Sequence, residues 1–346
     1  MFVSVSFLNK ALLWKEWRQN RGYFWMLFLV MAWVPIGVTL FSIAMQPFTD
    51  LAWGGDPHKA WSRIISSLVQ GHASPFWAFW SSFFLGATLL GQERTGNTIE
   101  FLVTAPVSRR AIVSAKFFMG TGMILLIMLL IGLFMIIMPL FLPAHYTFHD
   151  VIAWWLPTTC VQLAIFGVCF AVSTLSGKAI SNYLLSMIVL CLPLWIGSGV
   201  ASILRSIYLN SYKYASIVSI FEHWGTMMFL PSYLFIPGAT EKTGFLHVLA
   251  FLLVTVVSYI LSCWLFERNP LEKNGQTLIF GNFLRVAQIG SAIFIAFFLG
   301  EKQTLILQGG WDIFFLFALI GFFATYFIWK VIFLLMRRWG YDEISI

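Results

Sequence analysis

Residues Phe117–Leu142 read FFMGTGMILLIMLLIGLFMIIMPLFL, 26 residues without one Asp, Glu, Lys, Arg or His. The hydrocarbon core of a bilayer is about 30 Å thick, and about 20 apolar residues in an α-helix cross it. A run this long and this apolar is a spanning helix, because lipid offers no partners for the backbone of any open structure. Working outward from it, the same reading gives seven more spans: Tyr23–Met45, Pro75–Leu90, Ile152–Leu175, Tyr183–Leu204, Phe245–Phe266, Phe283–Leu299 and Trp311–Met336. The whole chain agrees. Of its 346 residues 60% are hydrophobic, 18% aromatic and only 10% charged, against about 25% charged in a soluble domain. Too few polar side chains remain to cover a globule, which excludes a soluble enzyme, a nucleic-acid binder, a disordered scaffold and a disulfide-stapled secreted domain. Cys160, Cys169, Cys191 and Cys263 all fall inside apolar runs, as small buried hydrophobes do. The first span is longer than a signal peptide and no small-residue cleavage site follows it.

Lys and Arg set the orientation of such a bundle. With a cytoplasmic N-terminus, fifteen of the 21 basic residues fall on inner segments and six on outer loops. This predicts both termini in the cytoplasm. It also accounts for the net charge of +7 without a nucleic-acid partner. Two outer segments are long. Residues 46–74 hold a helix-like piece around Trp61, Ile64, Ile65 and Leu68, and residues 205–244 are rich in aromatics before Pro237 and Gly238. Apolar loops of this kind dip into the interface or pack on the bundle.

Several chemistries are missing. No G-x-x-x-x-G-K-[ST] phosphate loop occurs: Ser176-Gly177-Lys178 is a fragment without its first glycine or the hydroxyl residue after the lysine. No H-E-x-x-H helix or G-x-S-x-G elbow occurs either. The middle of the first six spans holds no charged residue, and Gln162 is its most polar side chain. A proton- or sodium-coupled carrier would keep ionisable groups there. His145 and His149, four apart with Asp150 adjacent, have the spacing of two metal ligands on one helical face. No third ligand is fixed, and the bland reading of wet loop histidines is preferred. No metal site is therefore assigned, and no catalytic residue.

The most informative stretch joins the second and third spans: GQERTGNTIEFLVTAPVSRR, residues 91–110. Gly96-Asn97 is a turn signal. Thr98 to Thr104 predicts a short helix, within a knob at about residues 97–105. Ala105-Pro106 ends that helix, because the residue before proline avoids the α region. Ser108 is placed to cap the next helix, which runs through Lys116 into the third span. The result is a small, partly apolar knob on the inner face. Arg109, Arg110 and Lys116 also satisfy the positive-inside rule alone.

This stretch resembles the ABC type-2 (ABC-2) exporter permeases, whose pattern is a glutamate ending the second span, then Gly-Thr-x-Glu, an apolar pair, and Pro-Val-Ser-Arg before the third span. Glu93, Thr98, Glu100, Phe101-Leu102 and Pro106-Val107-Ser108-Arg109 fall in register. Asn97 stands at the usual glycine, with Gly96 before it, and Asn tolerates φ > 0 better than most residues. Trp14, Lys15, Trp17 and Arg18 resemble the family's interfacial elbow helix, and Gly177 and Lys178 lie at its second, minor cytoplasmic contact. The resemblance covers roughly residues 5–270. It implies an all-α integral membrane protein of about eight transmembrane helices. An elbow (1–22) precedes a six-helix core (23–270), and a C-terminal pair of spans with a tail (271–346) follows, for which the family has no counterpart.

The resemblance also implies that the knob is a coupling helix docking on a separate ATP-binding subunit, present in two copies, which carries the ATP and Mg²⁺. The chain itself would bind no cofactor. By position, Glu93 and Arg94 would orient the loop, Thr98 to Leu102 would dock, and Pro106 to Arg110 would set its exit angle. A second permease copy or a relative would complete the path in the lipid of a bacterial cell membrane. The absence of central charge favours neutral or amphiphilic cargo. Two other readings stay open: an ATPase-independent carrier, and a non-transporting sensor or immunity module using the same coupling geometry.

Overall fold

The computed structural model describes residues 10–38, 76–95, 107–140, 147–176, 179–207, 219–221, 223, 225, 228–235, 244–268, 283–307 and 311–338. Their regular structure is helical, with no strand among them. The elements are α1 (Lys10–Ala32), continued by a π-helical turn at Trp33–Val38, α2 (Phe76–Thr95), α3 (Arg109–Ile137), α4 (Phe148–Ser173), α5 (Ala179–Ile207), the single turn α6 (Ser232–Phe235), α7 (Phe245–Glu267), α8 (Phe283–Leu307) and α9 (Trp311–Arg338). Each expected span overlaps one of the long helices where its residues are described. Five stretches among the described residues are long and apolar enough to cross a membrane: Arg109–Ile137, Phe148–Ser173, Ser181–Ala201, Phe245–Glu267 and Asp312–Val331. Phe76–Gly91 and Gln288–Gly300 are shorter apolar helices.

Across the division drawn between elbow and core at 22/23, α1 runs without a break from Lys10 to Ala32. Gly22 is the only breaker at that division, and one glycine costs a helix about 1 kcal/mol relative to alanine, too little to end it. Regular α bonding gives way only at Trp33–Val38. That turn contains Pro35, whose missing N–H and ring cannot continue the i→i−4 ladder.

Residues up to Ser186 together with 230–275 form one compact unit, and Met187–Phe229 with Gln276–Ile346 another. In the first unit α4 is the central helix, buried along most of its length. Its neighbours approach closely where side chains are absent. A Cβ on Gly86 of α2 would lie 2.7 Å from Cβ of Cys169, and the ring of Phe166 sits directly over Gly120 of α3. On the other side Ser258 of α7 packs at Gly167. Trp155 donates from Nε1 to the carbonyl of Met128 on α3 at 2.6 Å, and Gln162 reaches Sδ of Met128 at 3.3 Å. The exterior is apolar instead of polar: Leu125, Leu129 and Leu133 on α3 and Leu253, Val256 and Ile260 on α7 are all exposed. Exteriors of this kind suit lipid. All four cysteines are free, with Cys160 and Cys169 buried.

In the second unit α8 and α9 form a close antiparallel pair. Gly321 lies against Ala296, and Gly300 against the Phe314 carbonyl. Trp329 donates to Oγ of Ser291 at 2.7 Å. The later part of α5 stacks Trp195 on Phe294 with ring centroids 4.0 Å apart.

Candidate functional site

The first turn of α3 directly follows the informative loop, and its local chemistry is that of a designed start. Ser108 has extended backbone and its side chain accepts from the Ala111 N–H at 3.2 Å. This is the N-cap expected from the sequence, an interaction worth about 1 kcal/mol. The next two residues reach across to the end of α7. Arg109 donates from Nη1 to the carbonyl of Glu267 at 3.1 Å. Arg110 grips the Glu267 carboxylate with both Nε and Nη2, the latter at 3.0 Å. The pair is exposed and contributes little to stability by its charge. Its two parallel bonds fix the geometry of the contact.

Deeper along α3, Oγ of Ser114 and the Tyr259 hydroxyl of α7 are hydrogen-bonded at 2.8 Å. Tyr259 also packs on Phe117, at 5.1 Å between ring centroids, and Phe117 packs on Phe166 and Phe170 of α4. Three helices thus meet in one aromatic cluster just behind the α3 start.

The other flank of α3 meets α1. Nζ of Lys116 lies 2.9 Å from Oε2 of Glu16, with 1% and 2% of their side chains exposed. Asn20, one turn on, donates to Oε2 of Glu16 at 3.3 Å and to the Glu16 carbonyl at 2.9 Å. Lys15 donates to the other carboxylate oxygen at 3.2 Å. Beside this polar node Leu12, Ala111 and Ala115 form a small apolar core, with Leu13 and Val107 packed against it. Lys116 was read above as a possible topological charge. Its burial against a carboxylate gives it a structural partner as well.

The sequence-derived residues separate into groups. Ser108 and Arg109 belong to the clamped start of α3. Glu93 and Arg94 lie in the last turn of α2. Gly96, Asn97, Thr98, Glu100, Phe101, Leu102 and Pro106 lie outside the described residues, as do Gly177 and Lys178. Four residues after Lys178 in the sequence, Asn182 in the first turn of α5 donates to the Ala87 carbonyl of α2 at 3.3 Å. In the elbow segment, Trp14 and Trp17 are exposed and Arg18 stacks over the Trp14 ring at 5.4 Å. Asp150 is taken up by a capping box: it accepts from the Thr147 N–H at 2.8 Å while its own N–H donates to the Thr147 hydroxyl. His149 beside it is exposed, and no group of three metal-type ligands occurs among the described residues. His145 is outside them.

Sequence reading missed Glu16, Asn20, Ser114, Tyr259 and Glu267. For Glu16 and Asn20 a signal existed. The buried stripe of α1 continues Leu12, Phe24, Leu27 and Met31 at helical spacing, and positions 16 and 20 fall on it.

A model of the ABC-2 family transporter proteins matches residues 12–197, just over half of the chain. Among curated proteins, "Probable ABC transporter permease YtrC" of Bacillus subtilis (strain 168) is 23% identical over 293 residues, covering 82% of this chain and 85% of that protein.

Proposed function

Since the chain belongs to the ABC-2 family of transporter proteins, we propose that it is the permease of an ATP-driven exporter, moved through the segment at about residues 97–105 by a separate ATP-binding subunit. As a member of that family with several apolar helices, it is a transport subunit of a bacterial membrane, not an enzyme, and crosses that membrane more than once. The family implies an ATP-binding partner in general. In this reading two copies of that partner carry ATP and Mg²⁺, and the residues between α2 and α3 dock on it. Both termini face the cytoplasm. Two permease chains, or this chain and a relative, enclose the path within the lipid. Neutral or amphiphilic cargo suits a core whose charged residues are absent from the middle of the first six spans.

One observation supports this reading above the others. The helix that follows the docking segment starts with a capped turn held to α7 by Arg109 and Arg110 and to α1 by Lys116. A force applied at Pro106 would therefore reach three helices and not one. A loop with only a topological role would not need such bracing.

Affinity purification from native membranes tests the proposal. A phosphate-loop ATPase should co-purify with the wild-type chain. Glu100→Ala with Phe101→Ala should release it while the chain still inserts. Equal recovery of the ATPase with this variant would refute the docking role. Substrate flux that follows ATP hydrolysis separates an exporter from a sensor.

A further inference from the structure

We propose that Glu16 and Lys116 are positioning residues of the coupling step: their buried ion pair makes the first turns of α1 and α3 one lever, so that a stroke entering at about residues 97–105 moves α1 together with α3. The proposal rests on the docking reading above, and it concerns residues outside the docking segment.

Four observations carry it. First, the pair sits where force would arrive. Lys116 is eight residues beyond the Ser108 cap, about 12 Å along the helix axis. Second, its polarity gives register. Glu16 is the only acidic residue of α1, and Lys116 is the only buried basic residue of α3. The rest of this contact is Leu12, Ala111 and Ala115, an apolar surface that by itself would tolerate sliding. A slip of one turn, about 5.4 Å, would set Leu12 or Asn20 against Lys116 and separate Glu16 from the Lys116 ammonium, leaving it only the partners on its own helix. Buried polar groups in helix contacts are best attested in this registering role. Third, the carboxylate is organised by its own helix. Asn20 and Lys15 both donate to it, so Glu16 is held in place to receive Lys116. Fourth, α1 has no joint on the way outward. It is α-helical from Lys10 to Ala32, which carries any displacement of Glu16 about 24 Å farther along the axis. The Arg110–Glu267 contact on the other flank is exposed and open to screening by salt. The Glu16–Lys116 pair is not.

The test uses the chain with its co-purified ATPase in nanodiscs. The four native cysteines are replaced by alanine and an environment-sensitive fluorophore is placed on the exposed position of Trp33→Cys. Emission is compared without nucleotide and after trapping with ATP and vanadate, and normalised to the ATP-hydrolysing complex. In the wild-type background the emission should shift on trapping. Lys116→Gln and Glu16→Gln should each reduce that shift by about fivefold or more while hydrolysis continues. The charge exchange E16K/K116E should restore most of it. Lys116→Gln leaves Glu16 with Lys15 and Asn20, so it carries the test if Glu16→Gln fails to accumulate. A merely structural pair would lower yield and thermal midpoint but leave the shift per complex unchanged. An undiminished shift in both single variants, no recovery in the exchange, or no shift in an actively hydrolysing wild type would each overturn the proposal. Failure of any ATPase to co-purify would show at the first step. It would overturn the docking reading, and this proposal with it.

Discussion

Replacing Glu16 by leucine removes the carboxylate from a site where both side chains of the ion pair are almost wholly enclosed, 2% and 1% exposed. Three donors lose the carboxylate: Lys116 at 2.9 Å, Lys15 at 3.2 Å and Asn20 at 3.3 Å, of which Asn20 keeps the Glu16 carbonyl at 2.9 Å. Lys15 is partly exposed and recovers water. Lys116, 1% exposed, loses the carboxylate inside a contact whose other members are Leu12, Ala111 and Ala115. Breaking a buried pair from one side costs about 3–5 kcal/mol. For a domain of this size that is a fall in thermal midpoint on the order of 10 °C. The double variant E16L/K116M exchanges the whole pair for apolar side chains of similar volume. Such exchanges are often neutral or stabilising by about 1–4 kcal/mol, so its midpoint should return to the wild-type value or exceed it. Thermal unfolding followed by intrinsic tryptophan fluorescence, at fixed detergent and protein concentration, reads all three proteins. The reasoning fails if Glu16→Leu melts within a degree or two of wild type, or if the double variant is no better than the single one.

Other outcomes follow from the same packing. Gly120→Val should destabilise the first unit by about 1–3 kcal/mol through overpacking, because the Phe166 ring occupies the space of the added Cβ. Adding Phe166→Leu should recover part of the loss in a double-mutant cycle. Ser108→Ala should cost about 1 kcal/mol, and hydrogen exchange should quicken selectively at the first amides of α3. Tyr259→Phe should cost about 1 kcal/mol by leaving Oγ of Ser114 without its phenol partner, again read by thermal unfolding. Asp150→Ala should cost about 1 kcal/mol through the lost carboxylate half of the α4 capping box, the Thr147 cap itself remaining, and Zn²⁺ should leave the wild-type midpoint unmoved. A rise in that midpoint with Zn²⁺ would restore the histidine site.

The spans were readable for a physical reason. In lipid the backbone must satisfy itself, so length and apolarity nearly suffice to name a helix. The expected Phe245–Phe266 is found as Phe245–Glu267, and Ile152–Leu175 as Phe148–Ser173. Ser108 was readable because a cap is local, set by a residue and the turn after it. The clamp around it was not. Glu16 lies 100 residues from Lys116 and Arg110 lies 157 from Glu267, and no local pattern ties such positions together. The face of α1 was hidden because its buried stripe carries Glu16 and Asn20 among the apolar residues, which blurs a projection that counts only hydrophobicity. Near Asp150 a second local signal was present: Thr147 three residues before an acid is a capping pattern, and the capping box forms.

The central claim is that this chain receives its driving force from another subunit through the residues between α2 and α3. A photo-crosslinking amino acid placed at Phe101, in the complex purified from native membranes, addresses it most directly. The account predicts cross-links to the ATP-binding subunit that vanish when that subunit is stripped away. Cross-links confined to the chain's own helices, or labelling of position 101 only from the extracytoplasmic side, would contradict it.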